Sequence, residues 1–167
     1  MMMAKSNRLT QSHLALINLL MFQAVWWLSV LYQNQSLWLS VSLLLVHFAI
    51  SSDVRQDVSL ILKIALFGFA FDCVLMFVGV FQFQQFPFWL LAIWCHFAIS
   101  LRYSLAFTQK LSWQINAILG GVFGCLSYLA GARFEAVLLP LELLSSALIL
   151  FFVWLVMFPM FVHVSHA

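Results

Sequence analysis

Long apolar runs broken by few charged residues constrain this chain more than any other feature. Hydrophobic residues make up 65% of the sequence, charged residues 7%, and the mean hydropathy is +1.07. A soluble domain is roughly half apolar and a quarter charged. Only a bilayer solvates runs of this length, and lipid offers no partner for a free backbone amide, so each run is expected to be helical. The sequence therefore predicts an all-α, polytopic integral membrane helix bundle.

We expect six transmembrane helices in a single domain that covers residues 1–167. Each span uses about 20 residues, so a chain of 167 residues has no room for a separate soluble domain. The stretch 52–57 is the most charged and is expected to lie in water. The predicted spans cover approximately residues 14–32, 37–51, 58–80, 88–107, 113–132 and 136–161.

The basic residues predict the orientation of the six spans. With the N-terminus in the cytoplasm, most Lys and Arg residues lie at the inner face and only Arg133 lies outside. This excess is the positive-inside pattern, and an even number of spans returns the C-terminus to the cytoplasm. We expect a multi-pass membrane protein, with the lipid bilayer as its first partner. The inner-face residues are Lys5, Arg8, Arg55, Lys63, Arg102 and Lys110.

Three ionisable residues are expected at one depth in the outer half of the bundle. From the helical rise, Asp72 and His96 lie about 12 Å from the outer ends of their spans, and Glu142 about 9 Å from its own. A charge within the membrane is costly and usually faces the bundle interior. Two interpretations stay open: these groups lock the helices together, or they form a ligand or proton pocket. Trp27 and Tyr128 are the expected aromatic walls of that pocket.

Small residues follow one face of the fifth span. Gly120, Gly124 and Gly131 are spaced so that a neighbouring helix can approach the backbone closely. We expect these glycines to pack helices within the chain, while a seam between two copies of the chain or with another membrane protein is the alternative.

The sequence offers no motif for catalysis or for a cofactor. It has no Gly-rich phosphate loop, nucleophile elbow or HExxH helix. The five histidines are scattered, which argues against a metal centre, and three cysteines without CxxC spacing argue against a disulfide framework. The net charge of +2 is too small and too dispersed for a nucleic-acid interface. We predict no catalytic residue, metal, cofactor or nucleic-acid partner.

Several short motifs occur together across nearly the whole chain. They comprise Trp26-Trp27, then Gly68, Asp72 and Gly79, then 86–89 (FPFW) with 94–97 (WCHF), and finally the glycines of the fifth span with Ser127-Tyr128. In these the chain resembles a family of small bacterial inner-membrane proteins classed as a domain of unknown function. The resemblance implies a multi-pass protein of the bacterial inner (plasma) membrane, but it carries over no activity. It implies that five positions matter, namely Asp72, Pro87, Trp89, Trp94 and Gly124.

Three classes of function fit these observations. We expect a non-enzymatic membrane protein that binds or moves a small or lipidic molecule through a polar pocket in the outer half. One alternative is a membrane-embedded enzyme or accessory protein acting on lipid. The other is a scaffold subunit of a membrane complex.

Overall fold

The computed structural model describes residues 10–166, and this part of the chain is helical. It contains no β-strand; Gln82 and Leu138 form a single antiparallel bridge between two loops. A 3-10 turn over Gln33–Ser36 joins α1 to α2, a π-helical turn over Ile61–Ala65 joins α3 to α4, and a 3-10 turn over Ala106–Lys110 precedes α6. The helices are α1 (Gln11–Tyr32), α2 (Leu37–Ile50), α3 (Val54–Leu60), α4 (Leu66–Phe77), α5 (Phe88–Ser100), α6 (Trp113–Arg133) and α7 (Leu143–His166).

Four helical stretches in residues 10–166 are long and apolar enough to cross a membrane. They cover Gln11–Ile50, Val54–Phe77, Trp113–Arg133 and Leu143–His166, and α5 is a shorter apolar helix. The described chain thus has the helices of a multi-pass membrane protein, which agrees with the all-α class predicted from composition.

The first of these stretches reverses direction at its centre. Gln33 adopts a positive φ of 49°, which a residue other than glycine rarely takes, and the chain turns there. Leu14, near the start of α1, consequently shares an apolar cluster with Leu44 and Phe48 near the end of α2. Helices α1 and α2 therefore lie antiparallel.

Helix α5 lies at the centre of the bundle. It is apolar on all sides, as expected of a helix that other helices surround, and residues 96–100 are all buried. Asn34 donates to the Phe86 carbonyl and accepts from the Trp89 amide at one end of α5. Asn18 accepts from Ser104 beyond its other end. Helix α1 thus runs antiparallel to α5 along its whole length.

Helices α6 and α7 form a tight antiparallel hairpin. Gly120 and Gly124 face α7, where Phe158 and Trp154 fill the space that larger side chains on α6 would need. Gly131 instead faces Val137 in the following loop. Among the described helices, only α7 brings its backbone close to α6 along its length. Side chains rather than close backbone packing therefore join the hairpin to the other helices.

Two sets of loops gather at opposite ends of the bundle. The Asn34 end comprises the turn 33–36 and the loops 78–87 and 134–142, which the bonds of Asn34 and the bridge of Gln82 with Leu138 connect. The Asp57 end comprises residues 51–57 and 101–112. At the Asp57 end, Gln109 donates to Ser165 near the end of α7, so His166 lies toward this end. Thr10 precedes α1 and lies toward the same end, because Asn18 in the first half of α1 accepts from Ser104.

Two of the predicted helix boundaries are wrong. The helix expected from Ala136 begins only at Leu143, because Glu135 turns the chain with a φ of 60° and Leu138 pairs with Gln82. The helix expected to reach Phe107 ends at Ser100 and gives way to turns. Hydropathy does not reveal either end, since both irregular segments are apolar and packed on the protein.

We predict that Gly124→Ala destabilises the protein by about 1–3 kcal/mol, the usual cost of overpacking. The added Cβ would lie 2.2 Å from Cγ of Trp154, so the hairpin has to separate. The midpoint of thermal unfolding in detergent measures the effect. Ala70→Val, which adds carbon at an exposed position of α4, is the control and should leave the midpoint unchanged. An unchanged midpoint for Gly124→Ala would contradict the close contact.

Candidate functional site

A large cavity separates α1 from the α6–α7 hairpin. Its volume is about 560 Å³, and its walls come from α1, α5, α6 and α7. This size falls in the range of small-molecule sites, roughly 300–1,000 Å³. Its lining is mainly apolar and rich in aromatic rings. The tryptophans among the lining residues are Trp26, Trp27, Trp89, Trp94 and Trp154.

Two side-chain contacts cross the cavity between α1 and the α6–α7 hairpin. Across the cavity, the indole N–H of Trp26 donates to the Ser127 hydroxyl over 2.9 Å, which holds α1 and α6 at a fixed separation. The ring of Trp27 meets Phe134 edge-on at 5.5 Å between centroids. These two contacts join α1 to α6 and to the residue that follows it, in the half of the bundle nearer the Asn34 end.

The predicted pocket residues Asp72 and Tyr128 come together. Asp72 is only 4% exposed, and its carboxylate accepts from the Tyr128 hydroxyl at 2.6 and 2.7 Å and from the Trp94 indole N–H at 2.7 Å. Tyr128 and Trp94 both line the cavity, whereas Asp72 does not. The carboxylate thus orients two rings of the cavity wall and ties α4, α5 and α6 together.

His96 and Glu142 are not part of this cluster, so the expected meeting of Asp72, His96 and Glu142 is wrong. His96 is buried, but its Nε2 pairs with the Ser40 carbonyl on α2, 3.1 Å away. It follows Trp94 by two positions on α5, which points it to a different side of the helix. Glu142 is exposed and precedes α7, because the segment from Ala136 is a loop. Equal depth along a helix axis did not imply a shared face.

The cavity lining carries polar groups but no charge. Gln23, Thr108, Ser127 and Tyr128 supply its polar side chains, and no Asp, Glu, Lys, Arg or His occurs among the described lining residues. Trp27, predicted as an aromatic wall, does line it and is 45% exposed. The described residues include no group of three side chains able to hold a metal ion. The arrangement suits an apolar or aromatic guest with few hydrogen-bonding groups.

A second buried polar cluster, which the sequence did not predict, lies at the Asp57 end. Asp57 is fully buried in α3, although the charged stretch 52–57 was expected to lie in water. Its carboxylate accepts from Arg102 at 2.6 Å, Ser51 at 2.5 Å and Tyr103 at 3.2 Å, and pairs with His47 Nε2 at 3.1 Å. Four partners satisfy the buried acid, which joins α2 and α3 to the chain after α5.

One signal in the sequence could have indicated this pairing. Arg102 stands next to Tyr103 at the end of an apolar run, and the sequence places it among the inner-face residues. A basic residue at that depth also needs an acidic partner when one is available on the same side of the membrane. The choice between Asp53 and Asp57 depends on the path of α3, which hydropathy does not define.

A scan of known protein families found one that matches most of the chain. The model of the protein family of unknown function DUF2878 matches residues 15–160. The chain belongs to this family. The resemblance to a domain of unknown function, stated above on sequence motifs, is thereby confirmed. No curated protein and no solved structure matched the chain.

We predict that Arg102→Met destabilises the protein by about 3–5 kcal/mol, because it leaves the buried carboxylate of Asp57 without its counter-charge. Chemical or thermal unfolding in detergent is the measurement. Arg55→Met removes an exposed charge from the same end and serves as the control. Equal stability of the two variants would show that the Asp57 cluster contributes nothing to folding.

Proposed function

We propose that this DUF2878 protein binds a lipophilic molecule in the cavity between α1 and the α6–α7 hairpin. The observation that carries the proposal is the volume of about 560 Å³ within an otherwise packed bundle. The space is open on one side, since its lining residue Trp27 is 45% exposed, so a molecule can enter it from the surroundings of the bundle. A concave, mainly apolar space of this size is typical of sites for small molecules, so a lipophilic occupant, whether lipid or another small molecule, fits it.

The walls of the cavity are held in place before any guest arrives. Asp72 orients Trp94 and Tyr128, and the bond from Trp26 to Ser127 sets the distance between α1 and α6. Preorganised rings lose little freedom on binding, which favours affinity. The alternative of a scaffold built on the glycines of α6 receives less support, because Gly120 and Gly124 pack against α7 of the same chain.

We also propose that the chain crosses the bacterial inner membrane six times with both termini in the cytoplasm. The antiparallel run of α1 and α2 supports two crossings in the first long helical stretch. The proximity of Thr10 and His166 to the Asp57 end supports an even number of crossings. Arg55, Arg102 and Lys110 lie at that end, whereas Arg133 lies toward the other, in line with a positive-inside orientation.

Filling the cavity should abolish binding of a neutral lipophilic probe. We expect N-phenyl-1-naphthylamine to bind saturably to the amphipol-solubilised protein, with energy transfer from the lining tryptophans as the measurement. Ile93→Phe combined with Leu119→Phe should remove the saturable signal, since both side chains line the cavity. Leu148→Phe with Val156→Phe adds the same groups on the exposed face of α7 and should retain it. Failure of the wild-type protein to bind the probe would refute the proposed function.

The orientation predicts which loops an impermeant reagent reaches. A cysteine introduced at Gln84 should react with a membrane-impermeant maleimide added to spheroplasts, whereas one at Lys110 should react only after permeabilisation. Both positions are in loops, at the Asn34 and Asp57 ends respectively. The native cysteines are replaced by alanine as background. The reverse pattern of reactivity would overturn the cytoplasmic placement of the termini.

A further inference from the structure

The two buried aspartates of this protein differ in their partners. Asp57 forms a salt bridge with Arg102 and pairs with Nε2 of His47. Asp72 is buried to a similar extent, yet it forms no salt bridge with any basic side chain in residues 10–166. Its hydrogen bonds come from the neutral groups of Tyr128 and Trp94. A buried carboxylate without a counter-charge is costly, so it either takes up a proton or requires a cation from elsewhere.

The cleft that Asp72 itself lines has no room for a molecule, so the large cavity is the nearest space from which a guest cation could act on this carboxylate. Both donors to Asp72 present their rings to this cavity, so the carboxylate lies behind the cavity wall rather than in the open. A cation above a tryptophan or tyrosine ring is attracted to the negative face of the ring. Donation of the N–H and O–H groups to a carboxylate makes these rings more electron-rich, since hydrogen bonds in sequence polarise one another.

The rest of the wall adds aromatic rings and no basic group. Trp154 also lines the cavity and stacks parallel to Trp94, with 5.5 Å between ring centroids and 3° between ring planes. The described lining contains no basic side chain that could neutralise an anion. The guest has to be largely apolar, because Gln23, Ser127 and Thr108 are few and scattered among aromatic and aliphatic groups.

We propose that the guest of this cavity is a lipophilic organic cation, whose charge the aromatic wall and the Asp72 carboxylate together stabilise. This inference rests on the proposed function, since it names the class of molecule that the cavity takes. Asp72 is a positioning residue for Trp94 and Tyr128 and also the counter-charge of the guest.

Two ions of nearly equal size and opposite charge test the proposal. Tetraphenylphosphonium and tetraphenylborate compete with N-phenyl-1-naphthylamine for the wild-type protein in a non-ionic amphipol, which carries no charge of its own to attract either ion. At an effective dielectric constant of about 20, one charge several ångströms away changes affinity by more than about tenfold. We therefore expect the concentration of phosphonium that displaces half of the probe to be at least tenfold lower than that of the borate.

Asp72→Asn separates the role of the charge from that of shape. The amide keeps the size of the side chain and can still accept from Trp94, so we expect the ratio of the affinities for tetraphenylphosphonium and tetraphenylborate to fall about tenfold. A change in cavity shape alone would alter both affinities and leave their ratio unchanged. Glu142→Gln removes an equal charge from an exposed loop position and should leave both affinities unchanged. The comparison of the two ions on the wild-type protein decides the question even when Asp72→Asn does not fold.

The outcomes separate the two proposals. The proposal of a cationic guest is refuted when the probe binds but the two ions compete equally. It is also refuted when Asp72→Asn retains the wild-type ratio of the two affinities, and in both cases the proposal of a neutral lipophilic guest remains. When the probe does not bind the wild-type protein, the proposed function and the cation both fail.

Discussion

A single carboxylate connects three helices that have no other polar connection at this depth among the described residues. Asp72 on α4 accepts from Trp94 on α5 and from Tyr128 on α6. Within lipid no water competes for these bonds, and an unpaired donor or acceptor would be costly. The α6–α7 hairpin otherwise meets α5 through aromatic side chains such as Trp154 on Trp94. The position of the hairpin against α4 and α5 therefore depends on Asp72, while the bond from Trp26 to Ser127 sets its distance from α1.

The two buried acids divide the bundle into a closed end and an open region. Asp57 has an arginine, a histidine and two hydroxyls as partners, and packed side chains surround it. Asp72 has two aromatic donors, and beyond them lies unfilled space. Buried charges that are fully paired serve structure, whereas an unpaired acid within a membrane more often marks a functional site. The proposed binding role accordingly centres on Asp72.

Hydropathy and the cost of exposed backbone were enough to predict an all-α membrane protein, and the motifs were enough to place it in its family. They also marked Asp72 and Tyr128, which do meet. Glu142 was misplaced because apolar residues such as Leu138 and Leu139 extend the hydrophobic run into a loop that packs on the protein. His96 was misassigned because depth along a helix was used without its rotation about the axis. Asp57 was missed because a charged stretch of sequence can still contain one buried position.

The sequence by itself determined that this protein belongs in a membrane, since its long apolar runs are solvated by lipid. It also determined that Asp72, within one of these runs, needs hydrogen-bond donors from the protein. The tertiary structure alone decided which donors those are, that Arg102 pairs with Asp57, and that α1 and α6 leave a cavity between them. The physical reason is that transfer into lipid depends on the composition of each segment, which is local in sequence. Pairing and cavity formation instead depend on the rotation and separation of helices, which the whole set of contacts fixes.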